Sequence, residues 1–308
     1  MISFVLTILK SRLRLFAKTI ILFVLALFGI KKWRQFFDTL DEKAEASTPS
    51  IIKTLYFNLR LLPRHQARVL PFYVYKGIRF QKLSGEISLG EKIYPGMVLL
   101  GYDWGFRCKG ETRIRIEGKV TFQGKCWILR GADVCVFSGG VLTIGDDVYF
   151  CENTLVHCLD RITFGNKVRM AYESQVLDTD FHYTVNLDTR EIHRRSAPVV
   201  IGSHVWIGNR TTIKKGVRIP DYTIVAASGS LLTKDYTGIV DRFGCLGGCP
   251  AKPLPIRICR TWKNEMERIG QLDQWFADHP ESKVFIIPDS ERIEDYTDVN
   301  TEEDDSEQ

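Results

Sequence analysis

His182 opens a long interruption in an otherwise periodic chain, and Asp178 and Asp180 stand just before it in Leu177-Asp-Thr-Asp-Phe-His. An imidazole titrates near neutral pH, so it can take up a proton and give it back. A carboxylate on its second ring nitrogen fixes the tautomer and the ring orientation. Either Asp178 or Asp180 could serve, and the spacing does not choose between them. Among the other histidines, His193 sits in the solvated run Glu191-Ile-His-Arg-Arg, His204 falls at an outward place of the repeat and reads as structural, and His157 is an alternative site residue. A histidine in a polar loop is most often only solvated, so the reading of His182 depends on what positions it.

The positioning element is a repeat of six. From about Ile116 to Leu231 an aliphatic or aromatic residue returns every six positions. The phase is unbroken through Ile201-Gly-Ser-His-Val-Trp, Ile207-Gly-Asn-Arg-Thr-Thr, Ile213-Lys-Lys-Gly-Val-Arg, Ile219-Pro-Asp-Tyr-Thr-Ile and Val225-Ala-Ala-Ser-Gly-Ser. It slips before Ile144 and before Phe164 and resumes each time. That period fits neither a helix nor a flat strand; it is the period of a parallel β-solenoid, whose stacked coils bury one continuous ladder. A β-sandwich is disfavoured because alternation at period two is largely missing. The first residue of each hexapeptide is expected to point inward and the fifth to be small. Glycine at the second or fourth place suits a turn that needs positive φ. The repeat stops after Val176-Leu-Asp-Thr-Asp-Phe and resumes near Val200, which makes 181–199 a loop on a rigid scaffold. Such loops often carry function.

Four pieces of the chain resemble the hexapeptide-repeat O-acyltransferases, close to the maltose, galactoside and polysaccharide O-acetyltransferases. They are Thr143-Ile-Gly-Asp, Pro198-Val-Val-Ile-Gly-Ser-His-Val-Trp-Ile-Gly-Asn, Ser230-Leu-Leu-Thr-Lys-Asp and Gly248-Cys-Pro-Ala-Lys. The resemblance implies an all-β, left-handed parallel β-helix, a homotrimer, acetyl-CoA as acyl donor and no metal. It implies that His182 is the general base toward a hydroxyl of a sugar or glycolipid acceptor. It places Asn153 and, in a less certain register, Asp160 on the acceptor side. It places Trp206, Asn209, Ser228, Thr233, Lys234, Lys252 and Arg257 along the cofactor. Cations and free N–H groups are what phosphates require, and Lys214 and Lys215 add charge nearby. The chain departs from the pattern at Cys249, where Asn is usual, and in the extra segment 238–246.

Composition bounds the rest. The chain has 308 residues, a net charge of +5 and eight cysteines. Cys126, Cys135, Cys151 and Cys158 fall within the repeat, where a thiol acts as a small hydrophobe, and a reducing compartment fits this usage. Cys245 and Cys249 could chelate or bridge, but zinc-ligand spacing is missing. The spacing of His157, His182 and His193 does not match the three-histidine zinc site of the γ-type carbonic anhydrases. Nucleic-acid binding has no motif support.

Residues 1–37 form a separate apolar and basic unit. Thr19–Ile30 is closed by Lys31-Lys32-Trp-Arg, and as a helix it reaches about 18 Å against a hydrocarbon core of about 30 Å. It reads as a helix lying in or dipping into one leaflet, with a short transmembrane helix and a trimer-packing helix as the alternatives, and with the enzyme on the cytoplasmic, inner face of the membrane. Residues 38–83 read as linker and lead-in helix, 84–257 as the β-helix and 258–288 as a C-terminal helix. Residues 289–308 read as an acidic disordered tail. The competing readings are a non-catalytic β-helix scaffold and an acetyltransferase of a small soluble sugar or xenobiotic.

Overall fold

The computed structural model describes residues 48–104 and 110–297. The expected membrane-surface unit at 1–37 and the end of the acidic tail lie outside the described residues. Among the described residues no helix is long and apolar enough to cross a membrane.

Twenty-one of the strands stack in parallel into three sheets of nine, seven and six strands, with a last antiparallel strand closing the nine-stranded one. Up to the last coil, consecutive strands belong to different sheets and each strand pairs with the third one along. The chain therefore winds as a three-sided parallel β-helix, the class the period of six calls for. Late coils follow that period: Ile201 pairs with Ile219 and Ile207 with Val225, three hexapeptides on.

The inward ladders are the first-place residues, except that the last rung is Leu232 and not the expected Leu231. Phe122, Ile144, Phe164, Ile201 and Ile219 align on one wall. Ile128, Phe150, Met170, Ile207 and Val225 align on the second, and Val134, Val156, Val176, Ile213 and Leu232 on the third. All are buried in one cluster. Each such side chain contributes about 1.5–3 kcal/mol on leaving water. Small fifth-place residues such as Val148, Thr154, Ser174, Val205 and Thr211 are buried at the corners, as expected.

The expectation for glycine holds at the fourth place and needs correcting at the second. The left-handed turn falls at the fourth place, on Asp147, Asn153, Lys167, Glu173, His204, Arg210 and Tyr222, at φ between 54° and 60°. Gly131 and Gly216 are the glycines in that series, at φ 80° and 78°. The second-place glycines are needed for a different reason. A Cβ on Gly202 would lie 2.3 Å from Asp221, and one on Gly208 2.5 Å from the Ala227 amide. They are small so that the next coil can approach.

The β-helix begins at Phe72, earlier than the expected Ser84. The first coils pair Phe72 with Val98 and Val98 with Cys126, longer turns that carry no period of six. The lead-in helix is present as α1, Ile51–Leu61, followed by the single turn α2, Arg64–Ala67. Ser50 caps α1 by accepting from the Lys53 amide. Phe57 of α1 packs on Phe72 and Phe80. Asn58 donates to the Phe72 carbonyl and accepts from the Phe72 amide, and the Thr54 hydroxyl accepts from the Val74 amide. At the other end Lys252–Arg257 runs antiparallel to Gly244–Gly247.

The C-terminal helix α3 spans Glu265–Asp278, shorter at both ends than the expected 258–288, and Asn264 turns left-handed just before it. Part of the expected disordered tail is ordered. Helix α4, Glu294–Thr297, buries Tyr296 beneath the Arg268 guanidinium.

Candidate active site

A corner of the prism follows every strand, so the sheet order assigns each expected site residue to an edge. The edge between the seven- and six-stranded sheets carries Asp160, Asp178, Asp180 and His182, and two coils further Thr233 and Lys234. The edge between the nine- and seven-stranded sheets carries Asn153, Asn209 and Ser228, with Trp206 on the strand just before. Asn209 and Ser228 lie one above the other, the Ser228 amide donating to the Asn209 carbonyl at 2.8 Å. Lys252 and Arg257 lie exposed on the closing antiparallel strand. A single chain thus divides the expected residues between two edges and does not bring them together.

On the first edge, the chain leaves the strand Gln175–Leu177 and re-enters at Val199. Bridges between Thr179 and Ser196 and between Val185 and Ile192 close the intervening loop on itself. His182 is exposed at its start, and its amide donates to the Asp180 carbonyl.

Neither aspartate holds its ring. Asp178 is buried and accepts from the Leu159 and Asp160 amides at 2.8 and 2.7 Å. Burial raises its carboxyl above the ordinary range, although the two amides pull the other way. Asp180 is taken by Lys214 and Lys215, each at 2.8 Å, which hold its carboxyl below the ordinary range. This corrects two expectations at once: the aspartates brace the root of the loop, and the two lysines are its anchors.

On the second edge, Asn153 takes a left-handed turn at φ 55°, the conformation its residue type tolerates best. Ser228 does the same at φ 69°. Trp206 keeps 39% of its surface exposed, with the Arg260 guanidinium 5.1 Å over its ring. Back on the first edge, Lys234 is exposed and reaches over the Tyr236 ring. The remaining histidines follow the sequence reading: His193 is solvated beside Glu191, and His204 stacks on Tyr222 at 4.3 Å.

Sequence reasoning missed an arrangement on the outer face of the seven-stranded sheet. His157 Nε2 lies 3.5 Å from Asp133, whose carboxylate also receives Arg113 and the Cys135 thiol. Burial alone would raise the Asp133 carboxyl, but His157, Cys135 and Arg113 outweigh it. Burial and the neighbouring carboxylate push the Cys135 thiol up to about 12, so it stays a thiol. The Asp133, Cys135 and His157 ligand atoms lie within 4.8 Å of one another. A guanidinium already on Asp133 and a protonated sulfur suit a hydrogen-bonded cluster better than a cation. The partners come from adjacent coils separated by a phase slip, so no local motif announces them. Among the described residues the cysteines are free thiols, Cys245 and Cys249 included.

The fold and its two decorated edges define a hexapeptide-repeat β-helix. No family model matches the chain. One stretch is 32% identical over 82 residues to a chloramphenicol acetyltransferase of Morganella morganii. Another is 34% identical over 56 residues to a polysialic acid O-acetyltransferase of Neisseria meningitidis. The matched stretches are 27% and 18% of this chain and span 35% and 26% of those relatives' own lengths. The resemblance read from the repeat thus meets acetyltransferases among its relatives. A crystal structure of the polySia-specific acetyltransferase NeuO overlaps 67% of this chain and 81% of its own at 18% identity and a TM-score of 0.47. At that overlap no residue position transfers from one chain to the other.

Proposed function

We propose that the protein is an O-acyltransferase that moves an acetyl group from acetyl-CoA to a hydroxyl of a sugar, on a surface polysaccharide or its lipid-linked precursor. The observation that supports this most directly is the division of the expected residues between two edges of one prism. His182, Thr233 and Lys234 stand on one; Trp206, Asn209 and Ser228 stand beside the other.

Two edges of a single prism cannot face each other. Two edges of neighbouring copies can, and a head-to-tail contact between three-sided prisms closes as a ring. We read the assembly as a homotrimer with a site at each junction. The partner's edge is then what surrounds His182, which in one chain stands in solvent.

The donor supplies an acyl group already activated as a thioester. What the chain must add is proton transfer and placement. His182 takes the proton of the acceptor hydroxyl as its oxygen attacks the acyl carbon. As the carbon–sulfur bond breaks, the same ring returns that proton to the departing sulfur. Exposed Lys252 and Arg257 on the closing strand suit the donor's phosphates. The names of the two relatives support acetyl transfer and leave the acceptor open between a glycan and a small soluble molecule.

The test is thiol release from acetyl-CoA by wild type and His182→Ala, with oligosaccharides and chloramphenicol as acceptors. Acceptor-dependent release that falls by about two orders of magnitude or more in the variant, with donor binding kept, supports the reading. A wild type that neither binds the donor nor releases thiol leaves the scaffold reading in its place.

A further inference from the structure

One row of outward residues on the nine-stranded sheet is unlike the rest of the surface. Trp127, Tyr149, Arg169 and Trp206 are register partners on four successive coils. Trp127 and Tyr149 stack face to face at 4.8 Å and 3°, and Arg169 continues the stack 3.9 Å over the Tyr149 ring. Trp104 stands edge-on to Trp127 at 5.7 Å and is 43% exposed. Beside this row the chain carries small residues, Cys151 and Ala171, and over it lie Met266 and Ile269 of α3. Together they enclose a cleft of about 290 Å³.

The charges within the cleft are already matched. Arg169 is bonded to Asp147 at 2.6 Å, and Arg260 to Glu265 at 2.6 Å. A free phosphate would have to compete with a carboxylate for each guanidinium. The unspent recognition surface is aromatic: the exposed indoles of Trp104 and Trp206, with polar edges from the two ion pairs. Flat apolar faces rimmed by fixed donors and acceptors suit a saturated ring that offers C–H groups on its face and hydroxyls on its rim. Trp206 ends the cleft, one turn from Asn209 on the edge described above.

We propose that this cleft is the acceptor subsite and holds a sugar ring of a glycan against Trp104 and Trp206, which puts Trp206 on the acceptor side rather than along the donor, where the resemblance placed it. The inference rests on the transferase reading and deepens it.

The test is calorimetry and kinetics on the full chain with two glycan probes, maltohexaose and a sialic acid tetramer, and with acetyl-CoA as a separate titrant. Two variants are used. Trp104→Ala removes an exposed face. Ile269→Trp fills the cleft from a helix position that is 41% exposed and outside the prism. Wild type is expected to bind at least one glycan. Both variants are expected to weaken that binding and raise the acceptor KM by about tenfold or more, with acetyl-CoA affinity unchanged. The inference is overturned if neither glycan binds, if the variants bind as wild type does, or if acetyl-CoA affinity falls instead. Glycan binding lost in both variants, with no thiol release under any condition, would keep the cleft and sink the transferase reading. Acetyl transfer to a glycan that both variants leave intact would do the reverse.

Discussion

Asp180 Oδ1 lies 2.8 Å from the Lys214 ammonium, and Oδ2 is 2.8 Å from Lys215, which joins the loop bearing His182 to the following coil. The lysines depress the folded-state pKa of this carboxylate. Its contribution is therefore present above the unfolded value, about 3.9, and is lost as pH falls through the lower folded value. The pair is partly solvated, so we expect about 0.5–1 kcal/mol. The double variant Lys214→Met, Lys215→Met should move the Asp180 pKa up, read by carbon-detected NMR titration. It should also speed proteolytic cleavage in 181–199. An unmoved pKa would show that the lysines do not hold the carboxylate.

The fourth place of the hexapeptide inverts a common rule. Glycine usually destabilises a regular element relative to alanine by about 0.5–1 kcal/mol. Lys167 stands at φ 54°, where a Cβ costs about 1–2 kcal/mol. Lys167→Gly should therefore be more stable than Lys167→Ala by up to about 1 kcal/mol in chemical denaturation. Equal stabilities would mean that the turn relaxes.

Assembly is testable through the loop. Leu187 is 85% exposed and Ile192 64% exposed in the single chain, and large apolar groups in that setting mark a contact surface. Light scattering should give three times the chain mass. Leu187→Glu should shift the population toward monomer and lower activity together. A monodisperse monomer of full activity would remove the trimer and the shared site with it.

Residues 1–37 are proposed to hold the enzyme at the inner surface of the membrane. Deleting them should release the protein from the membrane pellet on fractionation while leaving soluble-acceptor activity intact. Continued pelleting would assign membrane recovery to some other part of the chain.

Much of this architecture is legible in the sequence because one hexapeptide is one wall of the prism. A first-place Ile or Phe can only be an inward residue once the phase is set, and Phe164, Met170 and Ile207 are all fully or nearly fully buried. Spacing says less about contacts between coils. His157 meets Asp133, and Trp127 meets Tyr149, across a slip in the phase, so their alignment needs the strand register. The partners of Asp178 and Asp180 differ from the expected ones for a related reason. Proximity along the chain favours His182, whereas coil stacking offers backbone amides to one and two lysines to the other.

A stack of parallel strands has no intrinsic length. Each coil offers the next the same row of amides and carbonyls, and an open last coil would recruit another molecule. On the nine-stranded wall both growing faces are stopped. At the first coil Asn58 and Thr54 of α1 occupy the backbone groups of Phe72 and Val74 with side chains, which cannot propagate a ladder. At the last, Lys252–Arg257 reverses direction against Gly244–Gly247 and breaks the parallel register. On that wall the two ends keep finite a geometry that would otherwise extend as a filament. Sideways contact between edges, the direction in which the proposed site forms, is the association left open to it.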